Sequence, residues 1–162
     1  MSHMTHFHVL LLALGIGVIA GLRTFTAPAA VAWAAVFHWI NLNGTWASWV
    51  GNVITAIVFT VLALGELFLD QQPKTPPRTA PPAFIGRIIA GGFAGAVIGT
   101  AWAVTWGALG AGVVGAVLGT LGGYHARARL AKSLGRDLPA ALIEDLVAVG
   151  GGLALAALTA AL

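Results

Sequence analysis

The sequence predicts an all-α protein, a polytopic bundle of transmembrane helices in a single domain of 162 residues. Composition is the first indication. Hydrophobic residues make up 59% of the chain and charged residues only 8%, whereas a soluble domain carries about 25% charged residues. So few charges cannot cover a water-facing surface. The 22 glycines lie largely within apolar runs, as they do in packed membrane helices.

Six apolar segments are candidates for membrane spans. Their approximate limits are residues 8–22, 28–41, 49–69, 83–103, 107–124 and 139–162. The third, fourth and sixth reach the roughly 20 residues that cross a bilayer. The first two are shorter, so they are either two short spans or one broken, re-entrant element. We expect about six spans, some of them short or broken, and a smaller number is the alternative.

Start and stop signals support these limits. Thr26 can cap the second segment, and Pro28 suits the first turn of a helix. Asp137 precedes Pro139 in the same way before the sixth segment. The fifth segment is rich in glycine and has weak helix propensity, so its helix depends on packing. Between the third and fourth segments, prolines exclude helix and favour extended backbone. These prolines are Pro73, Pro76, Pro77, Pro81 and Pro82.

Charge and tryptophan indicate opposite sides of the membrane. With six spans, every basic residue falls on one side: Arg23, Lys74, Arg78, Arg87, Arg127, Arg129, Lys132 and Arg136. The positive-inside rule makes that side cytoplasmic. The loops near 42–48 and 104–106 carry no charge, and five tryptophans lie close to them, as in an interfacial belt. We therefore expect a multi-pass protein of a bacterial inner membrane, with its basic loops in the cytoplasm.

The chain divides into two three-helix halves, residues 5–80 and 81–162. The first four residues, MSHM, are interpreted as a cloning remnant. Three spans in each half would place the halves in inverted orientation, as in many transporters. An inverted repeat would place acids equivalent to Glu66 near the outer end of the sixth helix, but Glu144 and Asp145 lie near its inner end. The inverted repeat is therefore an alternative rather than the expectation.

Glycines recur at a spacing of four residues in three segments, which aligns them on one helix face in each. The series are Gly17 and Gly21, then Gly91, Gly95 and Gly99, then Gly115, Gly119 and Gly123. We expect these faces chiefly to pack helices within the chain. The alternative uses are the interface of a homo-oligomer or a pore lined by backbone. Three such faces leave room for both uses, so we also expect a homo-oligomer.

Ionisable side chains predict a site at the charged end of the bundle. Glu66 and Asp70 share one helix face, and ionisable groups beside apolar spans are costly to keep. The candidates for binding an ion, a proton or a lipid headgroup are Arg23, Glu66, Asp70, Lys74, Arg78, Arg87, Glu144 and Asp145. The alternative is that these groups form salt bridges between helix ends. The basic residues of 127–136 are expected to be solvated loop charges.

Several classes of chemistry are excluded or disfavoured. The chain has no cysteine, so it has no disulfide, thiol nucleophile or thiolate metal site. No nucleic-acid partner is expected, because the basic residues form no cluster outside the membrane loops. We expect no cofactor, and a function without catalysis is favoured over an enzyme, since no triad, zinc-ligand spacing or phosphate-binding loop occurs. A divalent cation such as Mg²⁺, held by the carboxylates of the predicted site, is the alternative.

Two segments resemble a family of small bacterial multi-pass membrane proteins catalogued as a domain of unknown function. They are GLRTFTAPA, residues 21–29, and GELFLDQQPKTPPRTAPPAFIGRI, residues 65–88. The resemblance extends to GGYHARARL and IEDLVA later in the chain. It implies a multi-pass inner-membrane protein, and it assigns no activity and no role to any residue.

Three functions stay open at this point. The leading one is a transporter or channel for a small ion or polar solute. In it, Glu66 and Asp70 would provide coupling, and Arg23, Arg78 and Arg87 would bind anions. The second is a membrane enzyme or binder for the phosphorylated headgroup of an anionic lipid, which the concentration of charge on one face favours. The third is a structural or assembly protein whose glycine faces bind partner helices.

Overall fold

The structure, a computed structural model, describes residues 3–69 and 79–162, with the backbone alone for residues 3–5. Within these ranges the protein contains α-helices and no strand, which confirms the all-α class. The helices are α1 (His3–Leu22), α2 (Thr26–Val36), α3 (Val53–Leu69), α4 (Pro81–Ala101), α5 (Thr105–Leu134) and α6 (Asp137–Leu158). Short 3-10 turns occupy Ser48–Gly51 and Thr159–Ala161.

Three helices, α4, α5 and α6, are long and apolar enough to cross a membrane. The apolar parts of α1, α2 and α3 are shorter, at His6–Leu22, Thr26–Val36 and Val53–Leu69. Large apolar side chains project outward from the bundle, with Val61 on α3 and Leu146 on α6 exposed by 61% and 74%. Apolar surface of this extent is unusual on a soluble monomer and is suited to contact with lipid.

Helices α1, α4 and α5 form the tightly packed centre of the bundle, and glycines make their close approach possible. A Cβ atom at Gly17 would lie closer than 3.0 Å to the backbone of Gly112 on α5. At Gly115 it would meet the carbonyl oxygen of Leu14 on α1 in the same way. Because these neighbours are backbone atoms rather than side chains, neither helix can accommodate a larger residue without moving.

The remaining glycines of the three series also lie at close contacts between helices. Added Cβ atoms would come within 3.0 Å of neighbouring helices at Gly21, Gly91, Gly95, Gly99 and Gly119, and Gly123 is buried. The glycine faces of α1, α4 and α5 are therefore occupied inside the chain. A homo-oligomer stays a prediction, and these faces do not support it.

Helix α5 is longer than predicted. Residues 125–137 were expected to form a loop, but α5 continues to Leu134, and Gly135 follows with a φ of 68°. A left-handed glycine at this position is a common helix terminator. The 30 residues of α5 extend about 45 Å, against about 30 Å for the hydrocarbon core of a bilayer. Arg127, Arg129 and Lys132 therefore lie on a helical extension rather than in a loop.

The first two predicted segments are separate helices joined by a break at residues 23–25. Helix α2 ends at Val36, although the apolar pattern was expected to continue it to Asn41. After α2 the backbone is irregular, with a positive φ at His38. The side chains of Ile40 and Leu42 nevertheless join the core. Most other residues of 37–46 are exposed, so this segment lies at the surface of the bundle.

The predicted helix caps are wrong at two positions. Thr26 and Asp137 are each the first residue of a helix rather than its cap, and no side-chain cap bond occurs at either start. The hydroxyl of Thr26 is buried without a hydrogen-bond partner in the described part of the chain. Helix α4 begins at Pro81, earlier than predicted, because proline is compatible with the first turn of a helix.

The two halves of the chain pack differently. Helix α5 lies against both α1 and α4. In an inverted repeat, the helix equivalent to α5 would be α2, and it should pack in the same way. That helix has only 11 residues and packs chiefly on α3. The packing therefore offers no support for inverted halves.

Aromatic residues gather at a distance from the charged residues. The indole nitrogen of Trp46 donates to the hydroxyl of Thr100 on α4 at 3.0 Å, and the rings of Trp49 and Phe93 lie 5.8 Å apart. Thr100 follows Arg87 on α4 by 13 residues, or about 20 Å along the helix axis. The bundle thus has a charged end and an aromatic end, as the sequence pattern indicates.

Candidate functional site

The site is built around the break between α1 and α2, which consists of Arg23, Thr24 and Phe25. A break leaves the last carbonyl groups of α1 and the first amide groups of α2 without partners inside their own helices. Buried backbone groups of this kind need partners from elsewhere in the protein. Side chains from α3, α4 and α5 provide them.

Glu66, near the end of α3, meets the start of α2. Its Oε1 accepts a hydrogen bond from the Thr24 amide at 2.8 Å, and its Oε2 accepts one from the Phe25 amide at 2.9 Å. A carboxylate is favoured here by the positive end of the helix dipole and by charge-assisted hydrogen bonds. Glu66 thus satisfies two backbone amides of the break, immediately before the first residue of α2.

Arg87, near the start of α4, meets the end of α1. Its buried Nη1 donates to the carbonyl oxygens of Gly21 and Leu22 at 2.6 Å and 2.8 Å. The hydroxyl of Thr120 on α5 also donates to the Gly21 carbonyl, at 3.2 Å. Nη2 of Arg87 lies 3.7 Å from Oε1 of Glu66. The two helix ends and the two charged side chains therefore form one connected group.

Arg23, inside the break, connects it to α6. Its side chain is fully buried, and its Nε donates to Oδ1 of Asp145 at 2.8 Å, while Nη2 contacts the same oxygen. Asp145 is almost entirely enclosed as well. A buried ion pair that involves residues so far apart in sequence ties α6 to the centre of the bundle.

A second group of charges lies between the extension of α5 and the start of α6. Nε and Nη2 of Arg127 donate to the two carboxylate oxygens of Asp137 at 3.0 Å and 2.6 Å, and Nη1 lies 3.6 Å from Oε2 of Glu144. The interpretation of Arg127 as a solvated loop charge is wrong because α5 continues past it. Its surroundings, HARARLAKSL, are rich in helix formers, and that signal could have indicated the extension.

The Arg127–Asp137 pair should contribute little to stability, because the Asp137 side chain is 65% exposed. Exposed ion pairs contribute about 0–1 kcal/mol. We expect Asp137→Asn to lower the free energy of unfolding by less than about 1 kcal/mol. Denaturant titration of the purified protein in detergent measures this change. A much larger loss would mean that the pair also holds buried Glu144 in place.

Five of the eight predicted site residues lie in the described part of the chain. Arg23, Glu66, Arg87 and Asp145 meet at the break, and Glu144 lies in the second group with Arg127. The other three predicted residues, Asp70, Lys74 and Arg78, lie outside the described residues. Thr120 and Arg127 belong to the two groups but were not predicted as site residues.

Residues 3–69 and 79–162 contain no arrangement of side chains that supports metal binding. There, no group of three or more His, Asp and Glu side chains is placed to hold a metal ion. The carboxylates of Glu66 and Asp145 face backbone amides or arginine instead of each other. The alternative of a carboxylate-bound divalent cation therefore rests on the sequence pattern alone.

No protein-family profile, curated protein or solved structure matches this chain. Membership of the family of unknown function stays a prediction. The function of the protein is therefore inferred from the chemistry of its own residues.

Proposed function

We propose that this chain is a multi-pass protein of the bacterial inner membrane that transports a small ion or polar solute through a site at the α1–α2 break. One observation carries the proposal, the Glu66 carboxylate bound to two backbone amides at the start of α2. Transporters are often built on discontinuous helices of this kind. They bind anionic groups at the amino ends of half-helices and cations at the carboxyl ends.

Both positions are filled here by side chains of the chain itself. The Glu66 carboxylate takes the place of an anionic solute, and the Arg87 guanidinium takes the place of a cation. The two side chains lie 3.7 Å apart, beyond the usual 2.7–2.9 Å of a charge-assisted hydrogen bond. A solute carboxylate or phosphate that displaced Glu66 would gain the same two amides and the nearby Arg87. Glu66 is therefore proposed as the gate of the site.

The proposed topology has six spans. Helix α2, at 11 residues, extends about 16 Å and crosses roughly half of the hydrocarbon core. The irregular segment that follows it is anchored in the core by Ile40 and Leu42 and is proposed to complete this crossing. The positive-inside rule then places the break and the extension of α5 at the cytoplasmic face.

Glu66→Gln tests the proposal. The amide keeps the size of the side chain but removes its charge and replaces one acceptor oxygen with a donor, so one break amide loses its partner. We expect solute flux to rise by about tenfold or more, because the closed gate loses at least one charge-assisted hydrogen bond, worth about 1.5–3 kcal/mol. The measurement follows the uptake of radiolabelled phosphate or chloride into proteoliposomes that contain a pH-sensitive dye, so that solute and proton movement are both recorded.

The matched control is Asp137→Asn, which removes an exposed carboxylate outside the break and should leave flux at the wild-type level. Flux that is the same in Glu66→Gln and in the unmodified protein would reject Glu66 as a gate. If the unmodified protein moves none of these solutes and no protons, the transport proposal itself fails.

A structural role is the second candidate, and one observation favours it. Every Asp and Glu within the described residues has an arginine nitrogen within 4.0 Å. Charges matched in this way can hold α3, α4 and α6 around the break without any ligand. This role predicts that Glu66→Gln lowers stability while liposomes show no flux with either protein. Binding of partner helices through the glycine faces is not favoured, because those faces are occupied within the chain.

A further inference from the structure

A cavity of about 330 Å³ opens between α1, α5 and α6, next to the second group of charges rather than at the break. Apolar side chains form its walls, among them Val18 and Leu22 of α1 and Val147 of α6. Its polar side chains are Arg127 and Glu144, which lie together. The volume falls at the lower end of the range of about 300–1,000 Å³ that is typical of ligand sites.

The floor of this groove is made of glycine. A Cβ atom built at Gly122 would meet nothing within 4 Å, although Gly122 lines the cavity. Helix α5 packs more extensively on α1 than on α6, so a wedge is left on the α6 side. The groove therefore deepens where Gly119, Gly122 and Gly123 interrupt the side chains on this face of α5.

We propose that this groove binds one anionic phospholipid, with an acyl chain against the apolar walls and the headgroup phosphate at Arg127. A water-soluble solute would need polar groups distributed around the cavity, whereas here they are confined to one place. Arg127 lies on the part of α5 that extends beyond the length of a bilayer core, which is the level of the headgroups. Basic pockets between transmembrane helices on the cytoplasmic side are known binding sites for anionic headgroups.

The pairing of Arg127 with Asp137 is compatible with this binding. The Asp137 side chain is 65% exposed, and exposed ion pairs are weak. A phosphate can therefore replace that carboxylate on the guanidinium, with the same bidentate geometry. The neighbouring basic residues Arg129, Lys132 and Arg136 add positive charge at the same end of α5, which further favours an anionic lipid over a zwitterionic one.

A pair of glycine substitutions tests the groove. Gly122→Leu adds a side chain at the groove, where its Cβ atom has no neighbour within 4 Å, while Gly110→Leu adds the same side chain to the same helix at another open position. Purified protein is incubated with phosphatidylglycerol or with phosphatidylcholine of identical chains, and the retained lipid is measured by native mass spectrometry. We expect Gly122→Leu to lower phosphatidylglycerol retention by about tenfold, the equivalent of 1.4 kcal/mol, with Gly110→Leu at the wild-type level. Equal retention in the two variants would overturn the proposal.

A pair of charge substitutions tests the headgroup position. Arg127→Gln and Asp137→Asn break the same ion pair, so a purely structural effect should be alike in both. We expect Arg127→Gln to lower phosphatidylglycerol retention and Asp137→Asn to raise it, because the second variant releases the guanidinium from its competitor. Changes in the same direction, or equal retention of phosphatidylcholine and phosphatidylglycerol by the wild-type protein, would reject the anionic site. Glu66→Gln should leave lipid retention unchanged, which keeps this result separate from transport.

Discussion

Replacing Gly115 with alanine should strongly destabilise the fold, although the change adds only one methyl group. That methyl group would lie closer than 3.0 Å to the carbonyl oxygen of Leu14 and to the amide nitrogen of Val18, both on α1. A side chain could rotate away, but these are backbone atoms of a helix. Overpacking typically costs about 1–3 kcal/mol, and here we expect at least the upper value because relief requires α1 and α5 to separate.

Gly110→Ala provides the matched control on the same helix. A Cβ atom there has no neighbour within 4 Å, so the substitution should stabilise α5 by about 0.5–1 kcal/mol through helix propensity. The comparison is made by titrating each purified variant with sodium dodecyl sulfate and following tryptophan fluorescence. Equal stability of the two variants would show that α1 and α5 are not in backbone contact.

Replacing Asp145 with asparagine should have the second large effect. Arg23 is fully buried, and its guanidinium would lose its ion pair with the Asp145 carboxylate. Removal of one member of a buried ion pair costs about 3–5 kcal/mol, because the remaining charge is left in a low-dielectric interior. We expect Asp145→Asn to lower the free energy of unfolding by that amount, as measured by the same titration.

The double variant Arg23→Met with Asp145→Leu separates stability from function. Hydrophobic replacement of a buried ion pair is often neutral or stabilising, so most of the stability lost in Asp145→Asn should return. Solute flux through the double variant in liposomes should stay below the wild-type level if Arg23 serves the proposed transport site. A double variant as unstable as Asp145→Asn would mean that the pair is not what holds α6 to the break. Wild-type flux in a stable double variant would remove Arg23 from the site.

Individual charged residues show how much of the candidate site could be predicted from the sequence. Glu66 and Arg87 were identified as site candidates because acids and arginines beside apolar spans are costly to keep. Their backbone partners were not identified, since those belong to another segment, at residues 21, 22, 24 and 25. Arg127 was misassigned because the same basic pattern fits a solvated loop and a helical extension.

The sequence by itself determined the all-α class, the separation of charged and aromatic residues along the chain, and the glycine faces of α1, α4 and α5. Composition and the four-residue spacing of the glycines indicate these features, because neither requires knowledge of which distant segments are in contact. The tertiary structure alone decided which arginine meets which acid, which side chains bind the break between α1 and α2, and where a groove stays open. Arg23 and Asp145 are 122 residues apart, and such partners are selected by how closely the helices approach. Backbone packing at the glycines sets that approach, and the ion pairs follow from it.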